Sequence, residues 1–276
     1  MIRQPKTRFA RVARPALWCR LTSPRLMVAI GTVGLFAMTG CAGKIRDHKP
    51  TMLLTSGDVD HYITVAGNDP SADERRGAIH RLGESKHLTD ARVIQTLIDV
   101  ANQDESEPVR SAAMLVLDQS QTPESCDTAL SIVQADVDRK LPADNASVRS
   151  MALKTIRNCI ETDRTPAEQL APSVNLAGQI VENDRSRHVR LEAVRMLGCF
   201  PTRQSLDILI LALKQRDFGI CYEAEKSLHR LTGESYDCNA EDWQHFVSGV
   251  ADPFANAPAD AGAQKSEKRS WFNWNK

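Results

Sequence analysis

The sequence predicts an all-α protein: a right-handed α-solenoid of about five stacked helix pairs, closed by a C-terminal cap helix. Three observations predict it. A central Ala followed four positions later by a large aliphatic residue recurs five times, at intervals of 31 to 41 residues. Each recurrence follows a second amphipathic stretch. Aromatics make up 5% of a chain that is 42% hydrophobic, which suits helices built on Leu, Ala, Ile and Val better than strands.

The recurring segments centre on Ala78, Ala113, Ala152, Ala193 and Ala224, with Leu82, Leu117, Ile156, Leu197 and Leu228 four residues on. Residues four apart share one helical face, so each pair marks a buried stripe. The small residue lets a neighbouring helix come close, and the aliphatic one fills the space. The preceding stretches run through Val59–Ala66, Val93–Ala101, Ala129–Val133, Leu170–Val181 and Leu206–Leu213. The unit is therefore helix A, short loop, helix B. Pro70, Pro108, Pro142, Pro166 and Pro201 punctuate the joints. One such pair cannot hide its own apolar stripe, so successive pairs must stack.

Acids precede the B helices in register with arginines: Asp69 and Arg75, Asp104 and Arg110, Asp144 and Arg149, Asp184 and Arg190. The order of apolar helix, Asp, Val-Arg, Ala, Leu resembles the HEAT repeat. That resemblance covers residues 58–232 and implies that these acids and arginines form a structural ladder along the stack. Cys221 replaces the fifth Arg, so the ladder is expected to end at the fourth repeat. The resemblance also implies a surface that binds proteins or peptides, through a concave face lined by the B helices. Some HEAT-like proteins are lyases that attach bilin pigments, which keeps an enzymatic alternative open. A purely structural envelope spacer is a further one.

After the repeats, Leu231-Thr232-Gly233 ends the last B helix, Gly233 serving as the C-terminal stop. Residues 233–250 are expected to hold the cap helix. Asn239 is its N-cap, Glu241 and Asp242 lie in its first turn, and Trp243, Phe246 and Val247 cover the open end. Residues 251–276, rich in Ala, Pro and Asp at first, read as a disordered tail. They finish on Trp271, Phe272 and Trp274 among cations, suited to a membrane interface or a partner.

The N-terminus reads as an address. Residues 1–40 carry seven basic residues and no acid, and an apolar run from Leu26 to Met38 that is short for a membrane span. Met38-Thr39-Gly40-Cys41 resembles a bacterial lipobox. That resemblance implies cleavage after Gly40, lipid attached to Cys41, and residues 41–57 as a tether to the membrane. The body would then lie outside the cytoplasm, in the cell envelope. An uncleaved single-span anchor is the alternative.

Charge and motifs narrow the function. The formal net charge is zero, but residues 41–264 sum to about −10, which excludes nucleic acid as a general partner. No nucleophile elbow, phosphate-binding loop or dinucleotide fingerprint is present, so no catalytic or cofactor residue is assigned. No Cys or His spacing suits a metal. Cys159 and Cys199 read as buried core thiols, and Cys221 with Cys238 as the one disulfide worth entertaining, stapling the last repeat to the cap.

Overall fold

The computed structural model describes residues 55–164 and 167–258. The chain divides into Met1–Pro50 and Thr51–Lys276, and every described residue lies in the second unit. The signal segment, Gly40, Cys41 and residues 259–276 are outside the described residues.

Five helix pairs follow one another. The A helices are α1 (Ser56–Asn68), α3 (Ala91–Gln103), α5 (Pro123–Asp138), α8 (Pro172–Asn183) and α10 (Arg203–Leu213). The B helices are α2 (Ala72–Gly83), α4 (Glu107–Ser120), α6 (Ala146–Glu161), α9 (Arg187–Leu197) and α11 (Phe218–Thr232). A single turn, α7 (Ala167–Leu170), leads into α8, and α12 (Ala240–Gly249) follows the last pair. No strand occurs among the described residues.

Local chemistry sets the ends. Thr55 and Asp58 form a reciprocal capping box that starts α1 at Ser56, inside the stretch expected to be tether. Ser71 and Ser186 cap α2 and α9 through their hydroxyls, and Asp217 caps α11. Pro sits in the first turn of α4, α5 and α8, where its missing N–H costs nothing. Gly233, at φ +80°, stops α11 as expected, and a side chain there would run into the Asn256 carbonyl.

Each pair packs on the next, giving two parallel rows. The A row runs α1, α3, α5, α8, α10, α12, and the B row runs α2, α4, α6, α9, α11. This consecutive packing, all helical, is that of an α-solenoid. Ala113, Ala152, Ala193 and Ala224 are fully buried and Ala78 nearly so, and their aliphatic partners Leu82, Leu117, Ile156, Leu197 and Leu228 are all at 0% exposure. One core therefore runs the length of the stack.

The cap helix extends only the A row: α12 packs on α10, with Trp243 and Val247 buried. Glu225 of α11 fastens it. Its carboxylate accepts the Trp243 indole N–H at 2.6 Å, the Tyr236 and Cys238 amides at 3.0 and 3.1 Å, and the Ser235 hydroxyl at 2.8 Å. Burial alone would raise this carboxyl. The four donors outweigh it and hold its pKa below the usual range. Glu225→Ala is expected to cost about 2–3 kcal/mol, because it strands a buried indole N–H and two amides. The same anchor weakens in acid. A carboxyl with a depressed folded pKa stabilises above its unfolded value, near 4.5, and loses that contribution as pH falls through the folded value. Amide exchange in α12 measures both effects.

Residues 251–258, expected to be disordered, are ordered against the cap. Arg203 donates to the carbonyls of Val247, Val250 and Ala251, Pro253 is buried, and Phe254 packs on the core. A composition of Ala, Pro and Asp hid two apolar anchors that the end of the A row could use.

Candidate interaction surface

Two charged systems run along the B helices. The first lies at the starts of the B helices and involves the acids and arginines singled out in the sequence. Each Arg grips the carbonyl of the Asp in its own repeat: Arg75 Nη1 donates to Asp69 O at 2.9 Å, Arg110 to Asp104 O at 2.7 Å, and Arg190 to Asp184 O at 2.7 Å. The carboxylates serve the preceding repeat instead. Arg75 makes a two-pronged contact with Asp104, at 2.7 and 2.8 Å, and Arg149 reaches Asp184 at 2.9 Å. The Asp104 and Asp184 carboxylates also accept the amides of Ser106 and Ser186 at 2.8 and 2.7 Å, as Asp69 accepts that of Ser71 at 2.8 Å. An Asp-x-Ser at 69–71, 104–106 and 184–186 carried that signal in the sequence.

The third repeat departs from the expected pairing of Asp144 with Arg149. Asp144 offers its backbone carbonyl to Arg110, and Asn145 Oδ1 stands where a carboxylate would, accepting Arg110 Nε and Nη2 at 3.2 and 3.1 Å. Arg149 is 1% exposed and lies between two buried acids, Asp184 and Asp136, while donating to Pro142 O at 2.6 Å. The cause is the loop before α6. Lys140 and Leu141 both adopt positive φ, and a short 3₁₀ turn spans Ala143–Asn145. This shifts the acid out of register. Arg190 does not extend the carboxylate series; the next junction is made by Arg187, which clasps Asp217 at 2.6 and 3.0 Å. A recess of about 420 Å³ beside Arg110, Arg139, Asp136 and Asn145 belongs to this ladder.

The second system was not anticipated. An open recess of about 770 Å³ lies on the B row, lined by Arg157 of α6, Arg195 of α9, Glu223, Lys226, Ser227, His229 and Arg230 of α11, and Pro258. Its walls come from three consecutive repeats. Arg195 donates to Glu192 at 2.7 Å and to Glu223 at 2.9 Å. These bonds, Glu223's foremost, raise the guanidinium pKa, and Arg195 in turn lowers that of Glu223. Arg230 reaches back to Glu161 of α6 at 2.8 Å, and Arg157 approaches Glu192 at 4.0 Å. Arg157 Nε and Glu192 Oε2 are buried without a hydrogen-bond partner. The visible signal was Glu-Ala-x-basic at 192–195 and 223–226, an i,i+3 pair repeated in successive B helices.

The recess offers ion pairs and donors, with no nucleophile set against a base. Cys199 lies behind it, donating to Glu161 at 3.6 Å, but burial pushes its thiol up to about 12, so it is protonated and inert near neutrality. Among the described residues no group of three or more His, Cys, Asp or Glu is placed to hold a metal, and no helix is long and apolar enough to cross a membrane.

The cysteines correct the sequence reading. Cys159 is not a free core thiol; it forms a disulfide with Cys126. Cys221 and Cys238 are free, and burial pushes the Cys238 thiol up to about 12. Cys126 and Cys159 lie 16 and 17 residues either side of Pro142. In an antiparallel pair, positions equidistant from the turn face each other, so the α5–α6 hairpin brings them together.

Stacked helix pairs with charged B-row edges define a helical repeat protein. The model of the HEAT repeats family matches residues 59–146, which supports a HEAT-repeat domain. No curated protein matches the chain.

Proposed function

We propose that this chain is a lipid-anchored scaffold of the bacterial envelope that docks a protein or peptide on its B-helix face. The observation that carries the reading is the recess shared by α6, α9 and α11: wide, solvent-open, ringed by cations and glutamates, and free of a reactive pair. HEAT repeats are commonly protein-interaction scaffolds, and the family match is consistent with that role. The Cys126–Cys159 disulfide supports a body outside the cytoplasm, where such bonds persist. Cleavage after Gly40 and lipid on Cys41 supply the anchor in this reading.

Crosslinking in intact envelopes, with mass spectrometry, tests the docking role. A stoichiometric partner is expected, lost with Lys226→Glu, whose exposed side chain lines the recess without supporting the fold. A chain that crosslinks to nothing in stoichiometric amount is a spacer. The anchor has its own test. Cys41→Ser is expected to leave the precursor uncleaved and unlipidated by intact mass, and to shift the protein out of its normal membrane fraction. A variant that remains membrane-bound at the usual level, from a parent whose own mass is that of the uncleaved, unlipidated chain, identifies an uncleaved span instead.

A further inference from the structure

The large apolar side chains most exposed among the described residues all lie on the last helix pair: Leu211 at 62%, Phe218 at 79% and Tyr222 at 55%. Phe218 and Tyr222, one turn apart on α11, stack with ring centroids 6.3 Å apart. Their positions in the repeat explain what is missing. Phe218 stands six residues before the central Ala, as Glu107 does in α4 and Arg187 in α9. Glu107 accepts the Ser147 amide at the start of the next B helix at 2.7 Å, and Arg187 clasps Asp217, the N-cap of the next B helix. Tyr222 occupies the position of Ser150 and Leu191, which are buried. At the first of these positions Glu107 and Arg187 reach the next B helix; at the second, burial varies along the stack, Arg76 of α2 being exposed. Among the described residues the A row has a sixth member, α12, and the B row has none after α11. The aromatic pair faces an unfilled place.

Charge selects the occupant. Glu225, three residues on from Tyr222 in α11, accepts the Ser235 hydroxyl and the Tyr236 and Cys238 amides, so the segment bearing Asp237, Glu241 and Asp242 borders this face. A second copy would bring acid against acid, on bodies that each carry about −10. The complementary chemistry is cationic and aromatic, and this chain holds it. Residues 265–276 (KSEKRSWFNWNK) carry Lys265, Lys268, Arg269 and Lys276 against Glu267, with Trp271, Phe272 and Trp274. The route is short. Asn256 lies against Gly233 at the end of α11, and Pro258 lines the same recess as Lys226, which is one turn from Tyr222. Residues 259–270 can span up to about 40 Å, against roughly 16 Å from His229 to Phe218 along the helix. So short a tether holds its end at an effective concentration of order mM.

We propose that the basic aromatic segment 265–276 docks on the outer face of α11, over Phe218 and Tyr222, as a detachable cap of the B row. Limited trypsinolysis of the full chain, read by intact mass, tests it through cleavage after Lys265, Lys268 and Arg269. Phe218→Asp with Tyr222→Asp changes two exposed side chains and is expected to speed loss of the tail at least tenfold. Trp271→Ala with Phe272→Ala and Trp274→Ala, which keeps the cleavage sites, is expected to give the same fast rate. Protection in the parent should not change over a tenfold range of protein concentration. Equal rates in all three chains overturn the proposal. So does protection that grows with concentration alongside a dimer in sedimentation, which would make a second copy the occupant.

Discussion

Arg149→Met is expected to lower stability by about 3–5 kcal/mol, the range for stripping the cation from a buried ion pair. Against a total of 5–15 kcal/mol for an ordinary domain, that is a large share, and thermal denaturation should fall by roughly 10 °C. The reason is an imbalance in the core. Two carboxylates, Asp136 and Asp184, share one guanidinium, and none of the three is more than 3% exposed. Burial already raises the Asp136 carboxyl, outweighing the bonds from Arg149 and Asn145. Without Arg149 both acids lie in a poorly solvated site without their ion-pair partner, and the Asp136 carboxyl, already raised by burial, should rise further above its unfolded value near 4. The folded variant then holds protons that the unfolded chain has released, so its stability increases as pH falls through that window. The deficit relative to the parent should therefore shrink between pH 7.5 and pH 5. Asp136→Asn, which removes the surplus negative charge and leaves the Arg149–Asp184 pair, should cost less. Urea melts of the three chains at both pH values decide the matter. A loss under 1 kcal/mol for Arg149→Met, or one equal at both pH values, would show that the triad is better solvated than its burial indicates.

What the sequence revealed and what it hid divide along a physical line. The five central alanines and their aliphatic partners were legible because both lie on one helix, where a 3.6-residue period fixes which side chains share a face. The cap was legible for the same reason: Asn239 receives the Glu241 and Asp242 amides, and Trp243 and Val247 lie one turn apart. Contacts between repeats were not. Arg75 and Asp104 are 29 residues apart, Arg230 and Glu161 69, and their meeting depends on how far one pair rotates on the next. Spacing within a repeat could point to Asp69 beside Arg75, which is a backbone contact, and could not say that the carboxylate partner belongs to the following repeat. The third repeat shows the limit most clearly. Two left-handed residues, Lys140 and Leu141, replace a simple turn and exchange Asp144 for Asn145 in the ladder. The recess on the B row was missed because its residues look like ordinary surface pairs until three helices bring them together.

Removing the Cys126–Cys159 bond is expected to be the other large effect. It ties the start of α5 to the end of α6, closing a loop with a sequence separation of 33. On the chain-entropy account, a loop of that size stabilises by about 3–4 kcal/mol, chiefly by restricting the unfolded chain. Cys126→Ala with Cys159→Ala should therefore unfold more readily by that amount. Both side chains are at 0% exposure, so the loss also includes a small packing term. The location matters more than the total. A helix pair in a stack is held by its neighbours and by its own hairpin, and the third pair is the one whose turn is irregular and whose ladder carries a surplus acid. Loosening its hairpin should weaken coupling between the first two pairs and the last two. The double variant is then expected to lose the single cooperative transition and melt in two steps, with amides of α5 and α6 exchanging before those of α2 and α9. Calorimetry with hydrogen exchange distinguishes this from a uniform loss. One sharp transition, merely shifted downward, would mean that packing between neighbouring pairs, and not the bond, makes the stack a single cooperative body.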